Sequence, residues 1–560
     1  MPDEQQTPPA AAPAPSQSLE QPGGGASETK GPSKSELKKL AKEAEKKKKE
    51  AERKDKEDKE RQAREAANVD YAKHKYGDLT PQAPRPKPAD GTTQRTAIAS
   101  LAGKPAGTKV FLRARVQISR AAGAKLIFLT LRDVHLSTIQ ALFNVAPEGA
   151  SKQMVKWATA IPSESIVLVE GELQNPQEPV QSCSVQDVEI KVSTIFVEAR
   201  APSQPSINFI DASRPEEDYK QEDAQFVRVN LDTRLDNRVI DLRTPANRSI
   251  FKIQAAVGHL FREYLTKQDF LEIHSPKLQG AATESGSSVF EVKYFNGKAF
   301  LAQSPQLAKQ MCIAADMARV YEIGPVFRAE NSNTPRHMTE FTGLDLEMEI
   351  HDHYHEVVDT LDGLFLHIFK TLKENFSHEI QTIRKQHETE EFLLPEDGKT
   401  LRLTYKAATD LLREGGHDIG EEDDMSTEQE KLLGKIIRDK YKTDYYIIDE
   451  FPLAIRPFYT MPNSQNPKLS NSYDFFMRGQ EILSGAQRIH DADFLENRMK
   501  EFGIDPNSEG MSGYLSAFRN GCPPHGGGGI GLERVVQFYL NLGDIRRASL
   551  FPRDPRRLRP

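Results

Sequence analysis

The stretch VFRAENSNTPRHMTEFTGLDLEMEI (326–350) decides the fold. VYEIGPVFRAE before the loop NSNTPRHM, and TEFTGLDLEMEI after it, both read as long strands. A third such run, SYDFFMRGQEILSGAQR (472–488), lies far downstream. Long antiparallel strands mixed with helices imply an α+β domain. Its first element is the helical stretch RSIFKIQAAVGHLFREYLTKQDF (248–270), so the expected domain spans 246–560. No GxxxxGK[ST] loop occurs. A P-loop or Rossmann phosphate site is therefore not expected.

Upstream, residues 108–200 read as KVFLRARVQI, AKLIFLTLRDV, TIQALFNV, a helical SKQMVKWATA, then SIVLVEGELQN and VQDVEIKVSTIFVEAR. Three strands, a helix and two strands is the order of an OB-type β-barrel. A polar connector, 201–245, serves as the expected hinge to the larger domain. Before the barrel, 71–107 is expected to be linker and includes the Pro-rich PQAPRPKPADG (81–91). Residues 33–70 form a charged, Lys-rich extension with Leu37, Leu40, Ala41 and Ala44 at helical spacing. Residues 1–32, rich in Pro, Ala, Gly, Ser and Gln, are expected to be disordered.

Composition narrows the class further. The net charge is −7, and residues 1–66 are nearly balanced, so the body is acidic. A nucleic-acid partner must then meet local basic patches. The clearest one lies between Lys34 and Lys49, with eight Lys against three Glu. Its bland reading is a solvated helix or linker. The sharper one is an RNA-gripping arm using Lys34, Lys38, Lys39 and Lys42. No apolar run approaches the roughly 20 residues that cross a bilayer, and the N-terminus lacks the pattern of a secretory signal. Three scattered cysteines, Cys183, Cys312 and Cys522, suit a reducing compartment, with the cytosol as default.

Three segments of the C-terminal domain stand out together: FLEIHSPKL (270–278) with Pro276, VFRAE followed by TEFTGLDLEME, and GGGIGLERVV (527–536) with Arg534. In this order and spacing they are similar to the signature motifs of class II aminoacyl-tRNA synthetases. QSPQLAKQM, NSYDFFMRGQEILSGAQRIHD and IRRASLFPRDPRRLRP resemble the eukaryotic cytoplasmic aspartate-specific branch, and the likeness spans roughly 70–560. It implies an antiparallel class II catalytic domain behind an OB-fold anticodon-binding domain. The implied reaction joins L-aspartate to tRNA(Asp) in two steps with ATP as substrate and magnesium as cofactor. An asparagine-specific enzyme or a non-catalytic RNA-binding paralogue are the competing readings.

The resemblance also implies roles. Attack of a carboxylate on the α-phosphorus needs no general base, only positioning and neutralised phosphate charge. Arg328, Glu481 and Arg534 carry catalysis. Glu330, Arg336, His337, Met338, Phe341 and Gly531 join them around ATP, with Phe341 stacking on adenine. Asp474 and Glu481, seven residues apart on one extended segment, offer magnesium carboxylates. Lys309 and Arg488 face the aspartate side chain, while Glu284, Gln306, Arg328, Asp345 and Ser484 complete that pocket. In the barrel Phe128, Gln140 and Glu189 fall to the anticodon. Most strand phenylalanines are simply core, and LIFLTL leaves the facing of Phe128 open. Pro276 marks the expected homodimer interface.

Two clusters read as structural. HDHYHE (351–356) opens a helix without cysteine and reads as surface histidines rather than a metal site. In PPHGGGG (523–529) the glycines allow close backbone approach to ATP.

Overall fold

The computed structural model describes residues 34–66, 70–88, 94–147, 149–223, 225–280, 289–387, 389–395, 398–508 and 510–559. The expected disorder of 1–32 and the pocket residue Glu284 lie outside these. The chain divides into two compact units at Ser203/Gln204.

In the first unit, α1 (Lys34–Ala66) carries the Lys-rich text, with Lys34, Lys38 and Lys42 exposed; the side chain of Lys39 is outside the described set. The barrel follows. Its strands are β1 (Tyr76–Asp78), β2 (Lys109–Ala121), β3 (Leu126–Arg132), β4 (Thr138–Asn144), β5 (Ile166–Gln174) and β6 (Glu189–Ala199), with α2 (Lys152–Thr159) between β4 and β5. The order is β1-β6-β4-β3-β2-β5, and β5 pairs back onto β6 to close it. Period-two burial drives this closure: Ile127, Leu129 and Leu131 of β3 face the core with Val110, Leu112 and Ala114 of β2. Ser151 caps α2 by accepting the N–H of Met154.

The expected linker is more than a linker. Its residues Tyr76–Asp78 pair with β6 in parallel, and Ala72, Ile98 and Leu101 are fully buried in the barrel core. The expected hinge also differs, because much of it is helical: α3 (Phe209–Ala212), α4 (Leu231–Asp236) and α5 (Arg238–Asp241). Buried Asp241 receives Arg234 at 2.8 Å and Arg238 at 2.6 Å. Arg238 also donates to the carbonyls of Ser549 and Leu550. Those contacts fasten the segment to the C-terminal stretch of the second unit, since a buried guanidinium needs its donors answered.

The second unit opens with α6 (Pro245–Thr266). Proline sits at its first turn, where no donor is lost, and Ile250, Ile253, Val257, Leu260, Phe261 and Leu265 form its buried stripe. Its sheet includes β7 (Leu271–Glu272), β11 (Arg319–Phe327) and β12 (Glu340–Glu349). Before β11 come β8 (Leu278–Gln279), β9 (Glu291–Tyr294), β10 (Gly297–Leu301) and α7 (Gln306–Ala314). After β12 come α8 (His355–Asn375), α9 (Ser377–His387), β13 (Leu401–Thr404), α10 (Tyr405–Glu414), α11 (Thr427–Tyr441), β14 (Tyr445–Asp449), β15 (Ser472–Met477), β16 (Gln480–Gln487), α12 (Ala492–Glu501), α13 (Ser512–Arg519), β17 (His525–Gly531) and α14 (Leu532–Leu540). Among the described residues the main sheet runs β13-β14-β15-β16-β17-β12-β11-β7, largely antiparallel. Leu344, Leu346 and Met348 of β12 point into the core formed with α6, α8 and α14. The alternate residues of β12, Phe341, Gly343, Asp345 and Glu347, therefore share the other face.

Candidate active site

Register builds the site. Asp345 pairs with Gly529, Gly529 with Ser484, and Ser484 with Asp474, so four strands place these residues in one row. The next row on the same face is Glu347, Gly527, Ala486 and Ser472. Gly527 is required by sheet spacing: a Cβ there would lie 2.1 Å from the Leu346 carbonyl and 2.4 Å from Glu347 Oε2. The glycines thus let strands close on one another, and Gly529 and Gly531 also line the cavity above.

That cavity, about 360 Å³, gathers most of the expected residues. Arg328 stands just past β11, and the loop to β12 contributes Glu330, Arg336, His337 and Met338. Phe341 and Asp345 come from β12, Gln306 from α7, Glu481 and Ser484 from β16, and Arg488 from just beyond it. Arg534 enters from the first turn of α14. The Arg328 guanidinium lies 5.6 Å from the centre of the Phe341 ring.

Behind the cavity floor is a buried charge cluster. Glu347, fully buried, takes Arg488 Nε at 2.9 Å and Lys309 Nζ at 3.4 Å. Burial opposes the Glu347 charge, yet Arg488 and Lys309 outweigh it and hold its carboxyl below the usual range. Burial likewise works against the Arg488 guanidinium, and Glu347 more than offsets it, leaving Arg488 even harder to deprotonate. Lys309 does not line the cavity: its ammonium meets Asp345 at 3.1 Å and the carbonyls of Leu346 and Gly528 at 3.3 Å.

Two expectations are corrected here. Asp474 and Glu481 do not share one extended segment; they face each other's neighbourhood across the β15–β16 hairpin, with Glu481 opposite Phe476. Asp474 lies outside the cavity lining, and its Oδ2 is held by Arg456 at 2.8 Å. The pair still suits a hard cation. Asp474 Oδ1 is buried without a hydrogen-bond partner, and burial together with the Asp474 charge pushes the Glu481 carboxyl up.

Arg336 lines the cavity but is tethered from α11. It pairs with Glu430 at 3.3 Å and with the Thr427 hydroxyl, both on α11. Burial, with Glu481 next, raises the Glu430 carboxyl to about 7. Sequence reading missed Glu347, Glu430, Glu533 and Arg456. A signal existed only for Glu347, an acid two residues from Asp345 on a strand whose other face is core. The HDHYHE histidines are exposed, and Glu356 caps the turn by accepting the N–H groups of His351, Asp352 and His353.

Glu533 yields a pH prediction. Both its oxygens accept the Thr342 N–H, at 3.2 and 3.0 Å, and burial raises its carboxyl to about 7. Unfolded, a glutamate titrates near about 4.3. The folded state holds the extra proton between these values, so this group's favourable contribution is full below about 4.3 and lost as pH rises through about 7. Glu533→Gln keeps the neutral form throughout. Its melting temperature should match the parent near about pH 5 and exceed it near about pH 8. A difference that does not change with pH would remove the assignment.

In the barrel, Phe128 lies half-buried on the outer face with Arg120 5.4 Å from its ring centre, so it is not a core residue. Gln140 and Gln174 both donate to the buried Glu189, at 2.7 and 2.8 Å, which makes one connected polar patch of two expected residues.

An antiparallel sheet with arginines from three separate elements over an acidic hairpin defines a class II synthetase centre, and comparison agrees. Residues 230–555 match the family described as tRNA synthetases class II (D, K and N), and 110–198 match an OB-fold nucleic acid binding domain. The cytoplasmic aspartate–tRNA ligase of Bos taurus is 51% identical over 89% of this chain and 97% of its own. A solved aspartyl tRNA synthetase from Entamoeba histolytica superposes with a TM-score of 0.77 at 44% identity, covering 87% of this chain and 96% of that one. An asparaginyl-tRNA synthetase from Pyrococcus horikoshii, solved with asparaginyl-adenylate, gives 0.71 at 29%, covering 84% and 100%. The chain belongs to the class II tRNA synthetases and, within them, to the aspartate–tRNA ligase family.

Proposed function

We propose that this chain activates L-aspartate with ATP and transfers it to the 3′ end of tRNA(Asp). The observation that carries the choice of amino acid is Arg488 on the cavity lining, fixed by buried Glu347, which Lys309 backs from behind, so that a fixed cationic donor faces a second carboxylate. Asparagine cannot form the same charge-assisted pairs and leaves cationic donors unmatched.

In the first step an oxygen of the aspartate α-carboxylate bonds to the α-phosphorus, and the bond to the bridging oxygen breaks. Pyrophosphate departs with that electron pair, and no proton moves. Arg328, whose planar fork matches two oxyanions, draws the carboxylate and the α-phosphate together. Phe341 offers its ring to adenine, with Arg534 over the opposite face. Glu330 and Met338 complete the nucleotide site beside Gly531, while Arg336 and His337 meet the terminal phosphates. Gln306, Asp345 and Ser484 surround the amino group and side chain, and Glu284 joins them by resemblance. Asp474 and Glu481 would hold magnesium, which would supply charge neutralisation on the leaving group. In the second step a terminal ribose hydroxyl of the tRNA bonds to the activated carbonyl carbon, and the bond from that carbon to the phosphate oxygen breaks. AMP leaves with the electron pair, while the hydroxyl proton passes to a phosphate oxygen or to water.

The same reading assigns the anticodon to Phe128, Gln140 and Glu189, and nonspecific phosphate contacts to Lys34, Lys38, Lys39 and Lys42. It makes the protein a cytoplasmic homodimer joined near Pro276. Pro276 is exposed there between Leu271 and Leu278, which are 53% and 49% exposed. No helix among the described residues is long and apolar enough to cross a membrane.

ATP–pyrophosphate exchange with each amino acid in turn tests the proposal. Exchange should appear with aspartate alone; exchange with asparagine, or with none, contradicts it.

A further inference from the structure

A second cavity, about 450 Å³, adjoins the first. Thr334, Arg336, His337, Thr427, Lys431 and Arg478 are among the residues that line it, and Arg336 and His337 line both cavities. None of the lining residues is Asp or Glu. In a chain of net charge −7, a chamber bordered by three permanent cations and no carboxylate is an anion site by composition. Its walls are firm. Arg478 donates to the carbonyls of Phe538 at 3.0 Å and Glu390 at 2.9 Å. The β15–β16 turn meets α11 at Gly434, where a Cβ would come within 2.3 Å of Gly479 Cα. Lys431, one helical turn from Thr427, is exposed.

We infer that this side chamber receives the pyrophosphate released when the adenylate forms. The inference rests on the reading above, which places the terminal phosphates of ATP against Arg336 and His337. Those residues border the chamber, so the leaving group needs to shift only past them to reach Lys431 and Arg478. Arg336, held by Glu430 on one nitrogen and Thr427 on another, is with His337 common to both positions. Once the α-phosphorus bond breaks, pyrophosphate keeps the electron pair and remains a compact polyanion. A cavity of about 450 Å³ has room for it.

The test is calorimetric binding of inorganic pyrophosphate to the full-length enzyme, compared with Lys431→Glu and the milder Lys431→Ala. Exchange with aspartate is measured on the same proteins. Lys431→Glu should weaken pyrophosphate binding by about fivefold or more, with a smaller loss for Lys431→Ala. The pyrophosphate concentration giving half-maximal exchange should rise in parallel, and clearly more than those of ATP or aspartate. Unchanged pyrophosphate constants overturn the inference. So does a rise confined to the half-saturating tRNA concentration when aminoacylation is measured on the same proteins, which makes the chamber an RNA surface. If the parent shows no aspartate-dependent exchange but Lys431→Glu still loses pyrophosphate binding, the chamber stands and the functional reading falls.

Discussion

Arg328→Ala should lower aspartate-dependent pyrophosphate exchange by about 10³-fold, and Arg328→Lys should restore little of it. One preorganised donor removed from a water-poor site commonly costs about 10²–10³ in rate. Arg328 is asked for more, because it holds nucleophile and electrophile together. Lysine keeps the charge but loses the planar fork, so it binds one oxyanion and not two. The structure places Arg328 at the edge of β11, against Phe341 and within reach of the same cavity as Arg534 and Glu481. Binding of tRNA measured by filter retention should stay near normal, since Arg328 serves phosphate chemistry and not the RNA body. Near-normal exchange in either variant removes Arg328 from the reacting atoms.

The second large effect is at the floor of the pocket. Arg488→Leu should reduce kcat/KM for aspartate by about 10²–10³-fold while half-saturation by ATP moves little. Removing one partner of a buried pair leaves the other uncompensated, at about 3–5 kcal/mol. Here the stranded group is Glu347, fully buried and left with Lys309 alone at 3.4 Å. Glu347→Gln separates positioning from contact. It keeps the volume and touches no substrate, yet frees Arg488 and Lys309 from their shared anchor, so aspartate use should fall and exchange at saturating aspartate should recover in part. Steady-state exchange at varied aspartate and varied ATP reads both. An equal loss in ATP affinity would show that the cluster holds the sheet together and does not choose the amino acid.

Much of this site was legible before any coordinates. Arg328, Phe341, Asp345 and Arg534 were named through the resemblance of their motifs to those of class II synthetases, and those motifs lie in local text read as strands and a helix start. The strand–helix order of 108–200 likewise predicts the barrel without tertiary information. These features depend on backbone preferences and side-chain alternation over a few residues, and such preferences are written locally.

Other features depend on which strands become neighbours. Asp474 and Glu481 read as one segment until the turn at Arg478 and Gly479, both at positive φ, folds them into a hairpin. Phe128 sits in the four-residue apolar stretch LIFL, so alternation is invisible there; pairing of β3 with β2 and β4 turns Ile127 and Leu129 inward and Phe128 out. The partner of Arg488 is 141 residues away, and that of Arg336 is 94 residues away. Local composition cannot name such partners, because ion pairing is set by distance and burial after the sheet has closed. Arg456 carries no motif, yet packing on Phe451 at 3.9 Å brings it to Asp474 and Ser484. The chemistry was therefore readable through short motifs that resemble a known family, while the charges that tune it came together only through register, since one strand's neighbour decides which buried charge is answered.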